Sequence, residues 1–183
     1  MFKQNQLLKV FSPVVLPMLF ATAALTASPA ALDAAAAQTL KNFCTDHTMH
    51  QELAQKAAGV LVFSRIRKAG IGVDAEYGQG VLQVNGESVA YFKIAGASVG
   101  ATLGVAGRRE VMLFMTPQAL ERFMNSHVWT VGVDADVAVV SKGAGGDHDT
   151  ETLKKPILAF VFGEKGLIAD VSLAGTKITR KPS

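Results

Sequence analysis

The sequence predicts an α+β fold: N-terminal helices, then a strongly bent antiparallel β-sheet or partial barrel, with one later helix packed on the sheet. Residues 57–107 supply the main observation, because short apolar segments alternate there with glycines and show almost no helical periodicity. Residues 32–58, in contrast, carry apolar side chains at helical spacing. A later helix is indicated by Thr116-Pro117, since threonine caps helices and proline is tolerated at the first helical position.

Residues 1–31 have the layout of a secretory signal peptide. Two lysines precede an apolar run, and small residues offer cleavage sites between 23 and 31. Two prolines interrupt the apolar run, which argues against a membrane-spanning helix. We therefore expect a periplasmic or secreted protein in which residues 32–183 form a single domain.

The excess of basic residues shrinks once this segment is removed. The full chain has 18 Lys and Arg against 15 Asp and Glu, a net charge of +3. Without Lys3 and Lys9 the count is 16 against 15, or +1. A protein so close to neutrality lacks the broad positive field of nucleic-acid-binding proteins, so we expect no nucleic-acid partner.

The strongest local signal in the β-rich region is Asn85-Gly86. Asn-Gly between two alternating apolar segments predicts a two-residue hairpin turn, because a type I′ turn needs positive φ at both positions. Residues 131–139 alternate between apolar side chains and mostly glycine or aspartate, which predicts a half-buried strand. Further strands are predicted at 60–63, 110–115, 157–162 and 167–173.

Three glycines, Gly96, Gly100 and Gly104, recur at intervals of four. On a strand this even spacing places all three on one face, where missing side chains permit close packing or a sharp bend. The same spacing occurs at helix contacts in membranes, but Lys93 and Arg108-Arg109 flank a segment too short to span a bilayer. We expect close-packing glycines within a sheet.

Basic residues cluster at the predicted turns. If several of them share one edge of the sheet, they would form a patch that binds an anionic lipid headgroup or another phosphate. The alternative is a set of ordinary solvated turn residues. The candidate headgroup-binding residues are Arg65, Arg67, Lys68, Arg108, Arg109, Lys154 and Lys155.

No group of residues predicts catalysis. Ser98, His127 and Asp134 can be combined into a triad on paper, but such combinations arise freely in a chain with many serines, and we assign no nucleophile elbow. Asp134 and Asp136 share one face of a predicted strand, which is ordinary polar alternation rather than an acid–base pair. We expect no enzymatic activity and no catalytic residue.

No cluster of ligands predicts a metal or a cofactor. His47 and His50 stand three residues apart without a third ligand at matching spacing, so a surface pair is the simpler interpretation. The loop 141–152 is rich in glycine and acids but lacks the EF-hand spacing. Cys44 is the only cysteine, which excludes an internal disulfide, and its apolar neighbours at helical spacing favour burial.

Several segments together resemble one family. They are, in order, Ala58 to Phe63, Lys68-Ala69-Gly70, Tyr77 to Leu82 and Ala97 to Gly104, followed by the helix 119–123, Gly132 and Ala135, Gly166-Leu167 and 172–175. In this order they resemble the SYLF domain, also called the Ysc-type actin-binding domain. The resemblance extends from Leu53 to Ile178, nearly all of the chain that follows the signal peptide.

The resemblance implies a lipid-binding module with no catalytic residues to carry over. Eukaryotic relatives bind phosphoinositides and some fungal relatives bind actin, partners that an exported bacterial member would not meet in the cell envelope. Anionic membrane phospholipid is then the expected partner. The alternative is a structural or protein-interaction module of the envelope, whose partner is another envelope protein.

Overall fold

The computed structural model describes residues 27–140, 151–163, 166–167 and 172–182. For residues 69–74, 98–106 and 166 it describes the backbone only. Most of the predicted signal peptide, most of the loop 141–152 and much of the predicted strand 167–173 lie outside the described residues. The surroundings of any side chain built at Gly100 or Gly104 lie outside them as well.

Each α-helix in the described residues begins at a side chain that accepts a backbone hydrogen bond. Ser28 Oγ accepts from Ala31 N at 3.3 Å, and His47 Nδ1 accepts from Met49 N at 3.3 Å. Thr116 Oγ1 accepts from the third residue of its helix at 3.2 Å, which confirms the predicted cap. The helices are α1 (Pro29–Asp46), α2 (Thr48–Lys56) and α3 (Pro117–Asn125).

The described strands form one sheet with the order β3-β7-β2-β5-β4, in which β1 also pairs with β2 and β6 with β5. The strands are β1 (Gly59–Val84), β2 (Glu87–Phe114), β3 (Val128–Thr130), β4 (Ala138–Val140), β5 (Ile157–Gly163), β6 (Gly166–Leu167) and β7 (Lys177–Arg180). A 3₁₀ turn at Thr152–Lys154 precedes β5. The predicted α+β fold with a strongly bent, mainly antiparallel sheet is confirmed, and the β4–β5 pair is parallel.

β1 and β2 form one long hairpin that folds back on itself. Its turn is the predicted Asn85-Gly86, with φ of 52° and 82°. Late in β1, a Cβ atom built on Gly80 would lie 2.5 Å from Phe63 Cδ1 and 2.9 Å from the Val62 oxygen, both early in the same strand. The first and last thirds of β1 therefore touch, and the strand must reverse its direction between them.

Glycines occupy the middle of this hairpin on both strands. The pairing sets Gly70 opposite Gly104 and Gly72 opposite Gly100, with a register shift between the two pairs. A shift of this kind leaves backbone groups unpaired on one strand and increases the local bend. The glycine-rich segment was predicted as several short strands. In the structure it forms two long paired strands, with bulges where the register shifts.

Apolar side chains cover both faces of the folded sheet. One face packs under α3, where Phe123 lies 4.7 Å from Phe92 and 4.8 Å from Phe114 between ring centroids. We call this the α3 core. The other face packs under α1 and α2, where Phe43 contacts Phe160 at 4.9 Å. We call this the α1–α2 core. Alternate residues of β1 and β2 enter the two cores, as a strand buried on both faces requires.

The predicted strand at 131–139 is wrong for residues 131–137, and only its last two residues are strand, at the start of β4 (Ala138–Val140). The chain turns there instead: Val133 N and Asp134 N both donate to the Thr130 oxygen, at 3.2 and 2.9 Å. Asp134 Oδ2 accepts from Thr130 N at 2.5 Å, and Gly132 has φ of +80°. An aspartate that bonds the backbone nearby stabilises a turn against the strand that the alternation favours.

Candidate functional site

Arg65 and Arg67 line one cleft on the side of the sheet that α1 covers. The register of β1 with β2 shifts after Phe63, and the resulting bulge brings Arg65 and Arg67 to this side. The cleft also contains the exposed ring of Tyr77, Ala27 just before α1, and residues of the first two turns of α1. Within the described part of the chain, neither arginine lies in an ion pair. Their positive charges are therefore available to a ligand.

Arg109 joins this cleft to a second one. It lines a shallow cavity with Arg65, and it also lines a cleft along α1. Its Nη2 donates to the Gly163 oxygen at 3.3 Å, which holds the guanidinium across the end of β5. We call Arg65, Arg67 and Arg109 the arginine patch. Lys68, the next cation along β1, is half-buried.

Lys154 and Lys155 lie at the other end of β5 from the arginine patch. Arg109 pairs with Phe162, whereas Ile157 begins the strand two residues after Lys155, so about 20 Å of strand separates the two regions. Lys154 Nζ is 2.6 Å from Glu151 Oε1, and Lys155 Nζ is 3.7 Å from an aspartate oxygen. The seven predicted basic residues thus do not share one surface.

Arg108 is buried on the opposite face of β2, at the edge of the α3 core. Its Nη2 is 2.7 Å from Glu76 Oε2 and its Nη1 is 2.5 Å from Glu110 Oε2. Both carboxylates come from the hairpin, one from each strand. A guanidinium buried between two carboxylates does not meet a headgroup, so we leave Arg108 out of the proposed surface.

Glu110 is the most buried charged group of this cluster. Its side chain is fully buried, and its Oε1 has no hydrogen-bond partner among the described residues. Burial raises the pKa of the Glu110 carboxyl, and the nearby Arg108 opposes that rise without cancelling it. Glu110 was not predicted as a special residue, because its position in an apolar strand gives no signal beyond the single charge.

Of the three predicted close-packing glycines only Gly96 can be assessed, because the surroundings of Gly100 and Gly104 lie outside the described residues. A Cβ atom on Gly96 would lie 3.5 Å from Thr176 Oγ1, which is ordinary van der Waals contact. On Gly78 it would lie 2.9 Å from the Arg65 oxygen and 2.9 Å from Ile66 Cγ1. Close packing therefore occurs at Gly78 and Gly80, where the hairpin folds against itself.

In a triad of Ser98, His127 and Asp134, Ser98 would be the nucleophile. Ser98 stands in a Gly-x-Ser-x-Gly pattern with Gly96 and Gly100, the pattern found in nucleophile elbows. However, Ser98 lies inside β2, paired with Asp74, and a nucleophile elbow requires a sharp turn from strand to helix. No group of three metal-binding side chains occurs among the described residues.

His50 belongs to the α1–α2 core, so the surface-pair interpretation of the two histidines is wrong. It is 2% exposed and its ring stacks on Phe43 at 4.5 Å. Its Nδ1 lies 3.1 Å from the Phe43 oxygen and donates to it. Cys44, expected to be buried, is half-buried, and burial raises the pKa of its thiol.

Comparisons with known proteins address the second half of the chain. The family model Ysc84, described as Las17-binding protein actin regulator, matches residues 95–183. The resemblance to the SYLF domain is confirmed over this segment, which includes Arg109 but not Arg65 or Arg67. A search of curated proteins gives no match. No helix in the described part of the chain has the length and apolar character needed to cross a bilayer.

Proposed function

Because residues 95–183 match the Ysc84 family model and resemble the SYLF domain, we propose that this chain is an exported module that binds anionic phospholipid and catalyses no reaction. The family consists of binding modules for actin and lipid, which supports binding rather than catalysis. The choice between these partners depends on the surface that the chain offers.

The arginine patch is the observation that carries the proposal. Arg65 and Arg67 are exposed, lack an ion pair in the described part of the chain, and lie near Arg109. Each basic residue near an anionic bilayer contributes about 1 kcal/mol of binding free energy. The two exposed arginines therefore supply about 2 kcal/mol. Local charge, and not the small net charge of the protein, provides the attraction.

Two features beside Arg65 and Arg67 also favour an orientation in which this surface faces the membrane. The first residues of α1 line the cleft of Arg65 and Arg67, and an α-helix carries a partial positive charge at its N-terminus. Tyr77 lines the cleft as well, with 47% of its surface exposed. Tyrosine rings are favoured at the boundary between headgroups and acyl chains. The patch thus combines positive charge with an interfacial aromatic ring.

Binding is restricted to the headgroup in this proposal. α1 and α2 pack on one face of the sheet and α3 packs on the other, so we infer that an acyl chain does not enter between the sheet and its helices. Export is supported by the layout of residues 1–31 and by the position of Ser28. This residue caps α1 close to the expected cleavage region.

Vesicle co-sedimentation of the chain from residue 27 tests this function. We expect binding to phosphatidylcholine vesicles that contain phosphatidylglycerol, none to phosphatidylcholine alone, and weaker binding as salt is raised. Replacing both exposed arginines (Arg65→Gln, Arg67→Gln) should weaken binding about 30-fold, the equivalent of about 2 kcal/mol.

The matched control removes the same charge from the other end of β5. The Lys154→Gln, Lys155→Gln variant should bind almost as well as the unaltered chain, because those lysines lie about 20 Å away and face carboxylates. Equal weakening in both variants would mean that net charge alone is responsible. No weakening in the arginine variant would remove the patch from the proposal.

A protein-interaction module is the second candidate. Val128, in β3 at one end of the sheet order, is 51% exposed, and Val133 in the following turn is 80% exposed. Exposed apolar side chains beside an edge strand suit a protein partner that adds to the sheet. An absence of binding to either kind of vesicle would favour this candidate.

A further inference from the structure

The second cleft of Arg109 combines opposite charges in a small space. It lies between α1 and the ends of β2 and β5. α1 supplies a hydroxyl, an amide and a carboxylate, β2 supplies the guanidinium, and two phenylalanines form the walls. The lining residues are Thr39, Asn42, Asp46, Arg109, Phe43 and Phe162.

The two charges of this cleft do not neutralise each other. Arg109 and Asp46 line the same cleft, yet no ion pair within 4.0 Å joins them in the described part of the chain. Arg109 donates to the Gly163 oxygen with one nitrogen, and the Asp46 carboxylate approaches His50 Nδ1 only at 3.9 Å. A ligand with an anionic group and a cationic group could therefore contact both residues at once.

The chemistry of each charged group limits the class of ligand that the cleft can bind. A guanidinium matches phosphate oxygens through two parallel N–H donors. A carboxylate pairs best with a cation that donates hydrogen bonds, such as a primary ammonium with three N–H groups. A quaternary ammonium donates none and is recognised instead by open aromatic faces. The Phe43 ring is already stacked on His50 and makes T-shaped contacts with Phe160 and Phe162, so its faces and edges are largely engaged within the α1–α2 core and do not form an aromatic cage for a cation.

We propose that this cleft binds a phosphoethanolamine group, with the phosphate on Arg109 and the ammonium on Asp46. The inference rests on the proposed lipid-binding function, because Arg109 also belongs to the arginine patch and would hold a headgroup phosphate at the border of the two clefts. The patch then supplies attraction to an anionic surface, and the cleft selects ethanolamine over choline. The same group also occurs free of membranes, in soluble phosphoethanolamine esters.

Vesicles with a constant content of phosphatidylglycerol distinguish the selection of ethanolamine by the cleft from the attraction of the arginine patch to an anionic surface. The remaining lipid is either phosphatidylethanolamine or phosphatidylcholine. We expect binding about fivefold tighter to the ethanolamine vesicles, and we expect Asp46→Asn to abolish this difference while it leaves the dependence on phosphatidylglycerol intact. Asp46 is the last residue of α1, where a negative charge opposes the helix dipole, so its neutralisation should not destabilise the helix.

The matched control is Glu52→Gln, an exposed acid on α2 that is not among the residues lining the cleft. It should keep the preference for ethanolamine. The arginine variant Arg65→Gln, Arg67→Gln should bind all vesicles more weakly and should also keep that preference.

Soluble glycerophosphoethanolamine distinguishes the two sources of the ligand. NMR shifts in residues 39–46 and 109 on its addition, with none on addition of glycerophosphocholine, would support the cleft even if no vesicle bound, and would then make the free ester the ligand. Vesicle binding without a preference, together with no response to the soluble ester, would overturn the cleft and leave the proposed lipid function standing. Loss of the preference in Glu52→Gln would also overturn it.

Discussion

Arg108 and Arg109 are neighbours in β2 with opposite environments. The first is enclosed between Glu76 and Glu110 beside the α3 core, and the second reaches the clefts under α1. Successive side chains of a strand point to opposite faces, so the Arg108 side chain faces its two carboxylates whereas Arg109 faces α1, although both residues line the shallow cavity of Arg65. The sequence shows that both lie in a basic stretch. Glu76, the carboxylate partner from β1, is paired with Gly96 and meets Arg108 only because the hairpin folds back on itself.

Glu110 makes the stability of the protein depend on pH. Its pKa is raised in the folded state above the ordinary value of 4.5, mainly by burial, so the folded protein holds this proton more firmly than the unfolded chain. The stabilisation is therefore fully present below pH 4.5 and is lost as pH rises from there through the folded-state pKa. Urea unfolding of Glu110→Gln across this range should show a smaller loss of stability with rising pH than the unaltered chain.

The exposed acid Glu52 provides the comparison for that experiment. Glu52→Gln should leave the pH profile of unfolding unchanged, because Glu52 is exposed and its ion pair with Lys56 is exposed as well. If Glu110→Gln and the unaltered chain lost stability in parallel, the burial of Glu110 would not be the origin of the pH dependence.

At the scale of elements, the β1–β2 hairpin determines where the site lies. Asn85-Gly86 was predicted from sequence because the requirement for positive φ is local. The length of the strands was not predicted, since glycines usually end or weaken a strand. Here bulges let the pairing continue through a bend, and contacts between the first and last thirds of β1 hold the bend closed.

Alanine substitutions at two glycines test this closure. Gly80→Ala should lower the free energy of unfolding by about 1–3 kcal/mol, because its Cβ would overlap the Phe63 ring and approach the Val62 backbone at 2.9 Å. Gly96→Ala should change it by less than about 0.5 kcal/mol, since the nearest atom is 3.5 Å away. Chemical denaturation measures both. Equal effects would mean that the two halves of β1 are not closely packed in solution.

At the scale of the whole molecule, the sequence predicted the fold class but not the separation of the basic residues. Helical spacing, the Asn-Gly turn and the Thr116 cap are local signals, and each one is confirmed. Which basic residues meet depends on contacts between segments 40 or more residues apart, such as Arg65 with Arg109. The sequence did not indicate Asp46 as a residue of the proposed cleft, because Asp46 meets Arg109 only where α1 crosses the end of β2.

The family match does not include every segment that the fold requires. Residues 95–183 begin within β2 and omit all of β1, which pairs with β2 along its length and supplies Leu61, Phe63 and Leu82 to the α3 core. A fragment of residues 95–183 should therefore show no cooperative thermal unfolding by circular dichroism, whereas residues 27–183 should unfold in one transition. A cooperative transition in the fragment would mean that β1 is dispensable for folding.

The position of Ala27 has a consequence for the export that we propose. Ala27, the first described residue, lines the same cleft as Arg65 and Arg67. If a signal peptide that ends near this residue is held in the bilayer before cleavage, both guanidinium groups lie close to the lipid surface from the start. The proposed headgroup binding would then begin before the protein is released.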